Sequence, residues 1–197
     1  GDVPVLVPHP RPDQNGLRRH FLKISRSTDL DIIIYNIPYR TGVNLCNDTL
    51  LDLATADNII GVKDSCGDIK QSLDLLEKKP AGFSVLTGED HLFYTTIVNG
   101  GDGWILASAH LYTNDFIDIF NLIEENDHQN ALLIWNRIKA IIPRLFEEPN
   151  PAPLKHCLAA LGLIRDSQVR EPLGDISAEL KKILENYLQK DSKRMTG

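Results

Sequence analysis

With 197 residues, 42% of them hydrophobic and 24% charged, the chain is long enough to bury a core and has the composition of an ordinary globular protein. Its net charge of −6 argues against nucleic acid or an anionic membrane as partner, and no apolar run reaches the length of a membrane span. Cys46, Cys66 and Cys157 are odd in number and far apart, with neither a CxxC pair nor a zinc spacing, which fits reduced thiols in a cytoplasmic protein.

Five short apolar runs, at residues 3–7, 32–35, 59–62, 84–86 and 104–107, predict strands. Between them lie stretches with helical spacing. Residues 16–28 carry Leu17, His20, Phe21 and Ile24, and residues 47–56 open on a cap at Asn47 or Asp48 and carry Leu50, Leu51 and Leu53. Residues 68–78 carry Ile69, Leu73, Leu75 and Leu76, and residues 90–99 end at Gly100-Gly101. Strand and helix alternating at this spacing predict βα units with parallel strands.

After Ala109 the alternation stops, and residues 114–126, 128–146, 152–161 and 177–189 read as helices. Pro143 should kink or shorten the second of them, and Gly162 ends the third. Residues 149–153, with three prolines, form a rigid connector. The expected organisation is an α/β part over residues 1–112, a helical region over 113–190 and a flexible polar tail over 191–197. Five parallel strands do not close a barrel of eight, so the α/β part is an open sheet or the latter part of a barrel.

Polar residues gather after the C-terminal ends of the strands, where α/β folds place their sites. The second strand runs into Tyr35-Asn36-Ile37-Pro38-Tyr39-Arg40-Thr41-Gly42, the third into Lys63-Asp64-Ser65 and the fourth into Thr87-Gly88-Glu89-Asp90. Burial of Lys63 favours its neutral amine, a nucleophile toward carbonyl carbon; equally, a strand-end lysine can extend its charge into water. A phenol at Tyr35 can move protons, and a guanidinium at Arg40 can grip a carboxylate at two points. Together they suit a 2-oxo acid substrate. Tyr35 can also simply close a core and Arg40 simply face solvent, while Asp64 and Glu89-Asp90 can serve as helix caps. Cys66, three residues after Lys63, is either a reactive thiol or a packed one. The histidines, His9 among them, are too scattered to suggest a metal site.

These segments, together with Gly61-Val62-Lys63-Asp64, Gly100-Gly101-Asp102-Gly103-Trp104-Ile105 and Glu148-Pro149-Asn150-Pro151-Ala152-Pro153-Leu154-Lys155, resemble the dihydrodipicolinate synthase/N-acetylneuraminate lyase family of class I aldolase-type enzymes. The likeness runs from about residue 3 to about residue 172. It implies a TIM (β/α)8 barrel with a C-terminal helical extension, here strands 4–8 only, because the match begins at what would be the fourth strand. It also implies no metal and no organic cofactor, a cytoplasmic setting, and a homo-oligomer, either dimer or tetramer.

The activity implied is condensation of pyruvate with L-aspartate 4-semialdehyde to hydroxytetrahydrodipicolinate, toward diaminopimelate and lysine. Lys63 would form the Schiff base and Tyr35 would relay protons. Arg40 would bind the carboxylate of the second substrate, Ile105 would contribute backbone groups near the lysine, and Gly88 would line the pocket. Arg40 favours the synthase over sugar-acid lyases and aldolases of the same family, the alternative enzymes. Two departures stand out. The family's Gly-Thr-Thr-Gly-Glu segment has no counterpart, and Val7-Pro8-His9-Pro10 replaces the usual Thr-Pro-Tyr-Tyr-Asn. The chain is therefore expected to be a fragment, with a truncated paralogue acting as a binding module as the non-enzymatic alternative.

Overall fold

Alternation along the strands decides which sheet face is covered. In the computed structural model, which describes residues 11–195, strand β1 (Ile32–Asn36) buries Ile34 and Asn36 and leaves Ile33 and Tyr35 exposed. Strand β2 (Ile59–Asp64) pairs with it in parallel, and strand β3 (Ser84–Thr87) pairs in parallel with β2, so strand order follows chain order. The strand expected at residues 3–7, and His9, lie outside the described residues.

The chain forms two compact units, one of Gly1–Thr87 with Asn99–Asp102 and one of Gly88–Val98 with Gly103–Gly197. In the first, helix α1 (Gln14–Ser25) starts at Asp13, whose carboxylate accepts from the Gly16 N–H at 2.6 Å. A one-turn helix α2 (Pro38–Thr41) follows β1, and helix α3 (Asn47–Leu53) precedes β2. Helix α4 (Ile69–Lys78) starts at Asp68, which accepts from the N–H groups of Lys70 at 2.9 Å and Gln71 at 3.4 Å. Ile34, Val62 and Val85 from the covered sheet face pack with Leu50, Leu53, Leu75 and Leu76 from the helices. Each fully buried side chain of this kind contributes about 1.5–3 kcal/mol.

Gly61 is required by a close approach: a Cβ there would stand 2.5 Å from the Ser84 carbonyl oxygen. The Gly100-Gly101-Asp102 turn is tied to the base of β3. Asp102 accepts from the Val85 N–H at 2.7 Å and ion-pairs with Lys79.

The second unit holds helix α5 (Phe93–Val98), a two-residue strand β4 (Gly103–Trp104) and helices α6 (Thr113–Glu124), α7 (His128–Ile138), α8 (Ala152–Ala160) and α9 (Ala178–Met195). β4 covers Gly103–Trp104 where a strand over 104–107 was expected, and a 3-10 turn (Ser108–His110) follows. Pro143 does break the expected 128–146 helix: α7 ends at Ile138 and a 3-10 turn (Ile142–Phe146) takes over. Helix α9 continues to Met195, past residue 190, where the polar tail was expected to start.

Phe93 is the hub of this unit, packing edge-on to Trp104 at 5.0 Å and to Phe116 at 4.6 Å between ring centroids. Phe93, Ile97 and Leu106 share one core with Phe116, Ile119 and Trp135, all within the second compact unit. A further cluster joins Leu145 and Cys157 to Leu180 and Leu184 of α9.

Candidate active site

Parallel pairing sets Tyr35 of β1 directly opposite Lys63 of β2. Both side chains project from the uncovered face, and Lys63 Nζ lies 4.1 Å from the centroid of the Tyr35 ring. That is inside the range where an aromatic face attracts an ammonium. Tyr35 is 45% exposed and Lys63 is half-buried, so both can meet a solute. The amine rests on the ring face of the phenol, not on its hydroxyl. One residue further along each strand, Asn36 and Asp64 turn to the covered side and are almost fully buried.

Arg40 sits in α2, exposed, with its guanidinium carbon 5.6 Å from the centroid of Tyr39. The turn closes at Gly42, whose φ of 76° is left-handed and whose N–H donates to the Pro38 carbonyl at 2.7 Å. The Arg11 guanidinium lies against this glycine, with Nε 3.5 Å from where a Cβ would stand. Among the described residues, Lys63, Arg40 and Arg11 have no carboxylate at ion-pair distance.

Gly88 directly follows β3 and Ile105 directly follows β4; both belong to the second unit, and Ile105 is 48% exposed. In that unit the buried Asp90 accepts from the Ser108 N–H at 2.6 Å, which fixes the turn after β4. The structure thus pairs Tyr35 with Lys63 in register and carries Arg40 on the turn that continues from Tyr35.

Asp64 has a structural task. It accepts from Ser72 Oγ at 2.5 Å and from the Cys66 N–H at 3.0 Å. Cys66 is the packed thiol of the two alternatives: burial first, then the Asp64 carboxylate, pushes it up to about 11, which removes the thiolate at neutral pH. Burial pushes Cys157 up to about 11 as well. Among the described residues no group of three or more His, Cys, Asp and Glu side chains could hold a metal ion.

Sequence reasoning did not find the side chains that hold the Arg40 turn. Asn36 Nδ2 donates to Asn44 Oδ1 at 2.9 Å and to the Leu45 carbonyl at 3.2 Å, while its Oδ1 accepts from the Leu45 N–H at 3.1 Å. Gln71 of α4 accepts from Asn44 Nδ2 at 2.7 Å and donates to the Leu45 carbonyl at 2.7 Å. Gln14 of α1 donates to the Asn44 carbonyl at 2.7 Å and accepts from the Cys46 N–H at 3.1 Å.

The Dihydrodipicolinate synthetase family matches residues 4–191. A 4-hydroxy-tetrahydrodipicolinate synthase of Clostridium acetobutylicum is 52% identical over 95% of this chain and 66% of its own length. One from Limosilactobacillus fermentum is 38% identical over 98% of this chain and 61% of its own length. Among solved structures, the dihydrodipicolinate synthase of Thermotoga maritima superposes with a TM-score of 0.89 at 28% identity, covering 92% of this chain and 63% of that one. The chloride-inhibited enzyme of Acinetobacter baumannii, complexed with pyruvate, gives 0.86 at 34% identity, covering 91% of this chain and 61% of that one. The chain thus spans less than two thirds of the length of these relatives. These likenesses show a TIM-barrel-type α/β fold, and with the family match over 4–191 they establish that the chain belongs to the dihydrodipicolinate synthetase family.

Proposed function

We propose that the protein condenses pyruvate with L-aspartate 4-semialdehyde to give 4-hydroxy-tetrahydrodipicolinate, with Lys63 as the imine-forming residue. The observation that carries this is the in-register pairing of Lys63 with Tyr35 at the C-terminal ends of parallel strands, with Nζ 4.1 Å from the ring centroid. The family match and the relatives' names support the substrate pair.

The chemistry follows from the groups. The Lys63 amine adds to the ketone carbon of pyruvate and water leaves, forming an imine. Loss of a methyl proton gives an enamine, whose carbon attacks the aldehyde of the semialdehyde. The semialdehyde's own amine then displaces Lys63 from the imine carbon, closing the ring and freeing the enzyme; one water is lost overall. Tyr35 supplies and removes protons at the carbinolamine and at the new hydroxyl. Arg40 holds the carboxylate of the second substrate. Gly88 and Ile105 are assigned to the pocket by family resemblance alone.

On this reading β1–β4 are strands 5–8 of a barrel, and α6–α9 form the helical extension. The free thiols Cys46, Cys66 and Cys157 fit a cytoplasmic enzyme. A homo-oligomer, dimer or tetramer, is taken from the family; a structural neighbour is itself described as a monomeric variant.

The test is borohydride reduction in the presence of pyruvate, followed by peptide mass mapping. An adduct on Lys63, with consumption of aspartate semialdehyde and no cleavage of sugar acids, is the expected result. A folded protein that traps no pyruvate at Lys63 removes the proposal.

A further inference from the structure

We propose that Asn36 is a positioning residue that sets Arg40 relative to Tyr35 and thereby governs affinity for the second substrate's carboxylate. The inference rests on the condensation reading above. A single buried amide, adjacent in sequence to Tyr35, closes the turn that carries Arg40 at its base.

Strand alternation explains the placement. Tyr35 faces the uncovered side, so Asn36 must face the covered side, where it is 2% exposed. An unsatisfied amide there would be costly, and both of its N–H donors and its carbonyl oxygen are used within one short segment. Three of its hydrogen bonds, at 2.9, 3.2 and 3.1 Å, all reach Asn44 and Leu45. The backbone leaves β1 at Asn36, passes through α2 with Arg40, turns at Gly42, and returns to the Asn36 side chain at Leu45. The turn is thus closed at its base by the side chain of the residue after the proposed proton relay.

Inside the turn, Thr41 Oγ1 donates to the Ile37 carbonyl at 3.1 Å and to the Val43 carbonyl at 3.0 Å. Behind it, Gln71 and Gln14 hold Asn44, Leu45 and Cys46 from two different helices. Arg40 itself is exposed and has no carboxylate partner among the described residues, so its position depends on how the turn is anchored. A guanidinium on a loose loop would have to be ordered by each incoming substrate, and that ordering reduces affinity. A closed turn presents it already placed. Lys63 lies on the neighbouring strand and takes no part in the clamp, so imine formation with pyruvate should not depend on it.

The experiment is a double-mutant cycle in the full chain, with Asn36→Ala, Arg40→Gln and the pair. Asn36→Ala is expected to raise KM for aspartate semialdehyde about tenfold, the scale of one mis-set hydrogen bond to a charged group, with kcat within about twofold. Borohydride-trapped pyruvate at Lys63 should form at the wild-type rate. The pair should be no worse than Arg40→Gln alone, because Asn36 acts through Arg40. If Asn36→Ala does not fold, Asn44→Ala removes one of the three bonds, leaves β1 untouched, and is put through the same cycle.

Additive losses, or a fall in kcat and pyruvate trapping with KM unchanged, overturn the inference. Wild-type protein that traps no pyruvate overturns the condensation reading and this inference with it. Wild-type trapping combined with an additive cycle overturns this inference alone.

Discussion

At the scale of single residues, the Lys63 amine and the Tyr35 phenol meet through the ring face, with Nζ 4.1 Å from its centroid. That separates two roles of Tyr35 that a single truncation would merge. Tyr35→Phe keeps the aromatic face and loses the hydroxyl; if the phenol moves protons, turnover should fall by about 10²–10⁴-fold while the fold is retained. Steady-state kinetics beside a circular dichroism spectrum would show this, and near-normal turnover would take the hydroxyl out of the mechanism. Lys63→Arg should trap no pyruvate at all, since a guanidinium stays protonated and cannot attack a ketone. An intact-mass measurement after reduction checks it.

Cys66 and Cys157 give a pH prediction of definite sign. Both thiols are pushed up to about 11 in the folded protein, mainly by burial. An unfolded thiol ionises near 8.5–9, so the unfolded chain loses its protons first. The stabilising contribution is complete below about pH 8.5 and is lost progressively as pH rises toward about 11. Urea midpoints measured across this window should fall less in Cys66→Ala than in wild type. Parallel curves would show that Cys66 does not titrate this way.

At the scale of elements, the contact between β2 and β3 at Gly61 keeps Lys63 in register. A Cβ at 2.5 Å from the Ser84 carbonyl forces backbone to move, because no flexible side chain is there to yield. Gly61→Ala should cost about 1–3 kcal/mol, read as a lower denaturant midpoint. An unchanged midpoint would mean that the strands part without penalty.

The register itself was partly legible in the sequence. The apolar run at 32–35, which ends in Tyr35, and the run at 59–62, which Lys63 directly follows, placed both residues at strand ends. Which residue faces which needed the pairing Tyr35↔Lys63. The clamp around Asn44 and Leu45 was not legible. Gln14, Asn36 and Gln71 stand far apart in sequence, and amides carry neither the periodicity of a core nor the charge of a catalytic group. In the second half, Pro143 announced the break after α7, whereas nothing in the 90–99 pattern showed that Phe93 and Ile97 would join the core of the following helices.

Over the whole molecule, the net charge is −6, yet Lys63, Arg40 and Arg11 have no carboxylate at ion-pair distance among the described residues. Uncompensated cations in an acidic protein attract carboxylate-bearing solutes, and salt weakens that attraction. Raising ionic strength from 0.01 M to about 0.15 M shortens the Debye length from about 30 Å to about 8 Å, and under the proposed condensation kcat/KM for aspartate semialdehyde should fall. A salt-independent value would show that these charges do not steer the substrate.

The anchor of the Arg40 turn responds to solution conditions in the opposite way. Its donors and acceptors at Asn36, Asn44, Gln71 and Gln14 are uncharged carboxamides and backbone. The ionisable neighbour that extends it, Asp74, accepts from Asn47 and is held below the usual carboxylate range chiefly by Lys78. Acidification across the physiological range therefore leaves this mounting as it was, and any bell-shaped rate profile reports the groups that exchange protons with substrate, not a loosening scaffold.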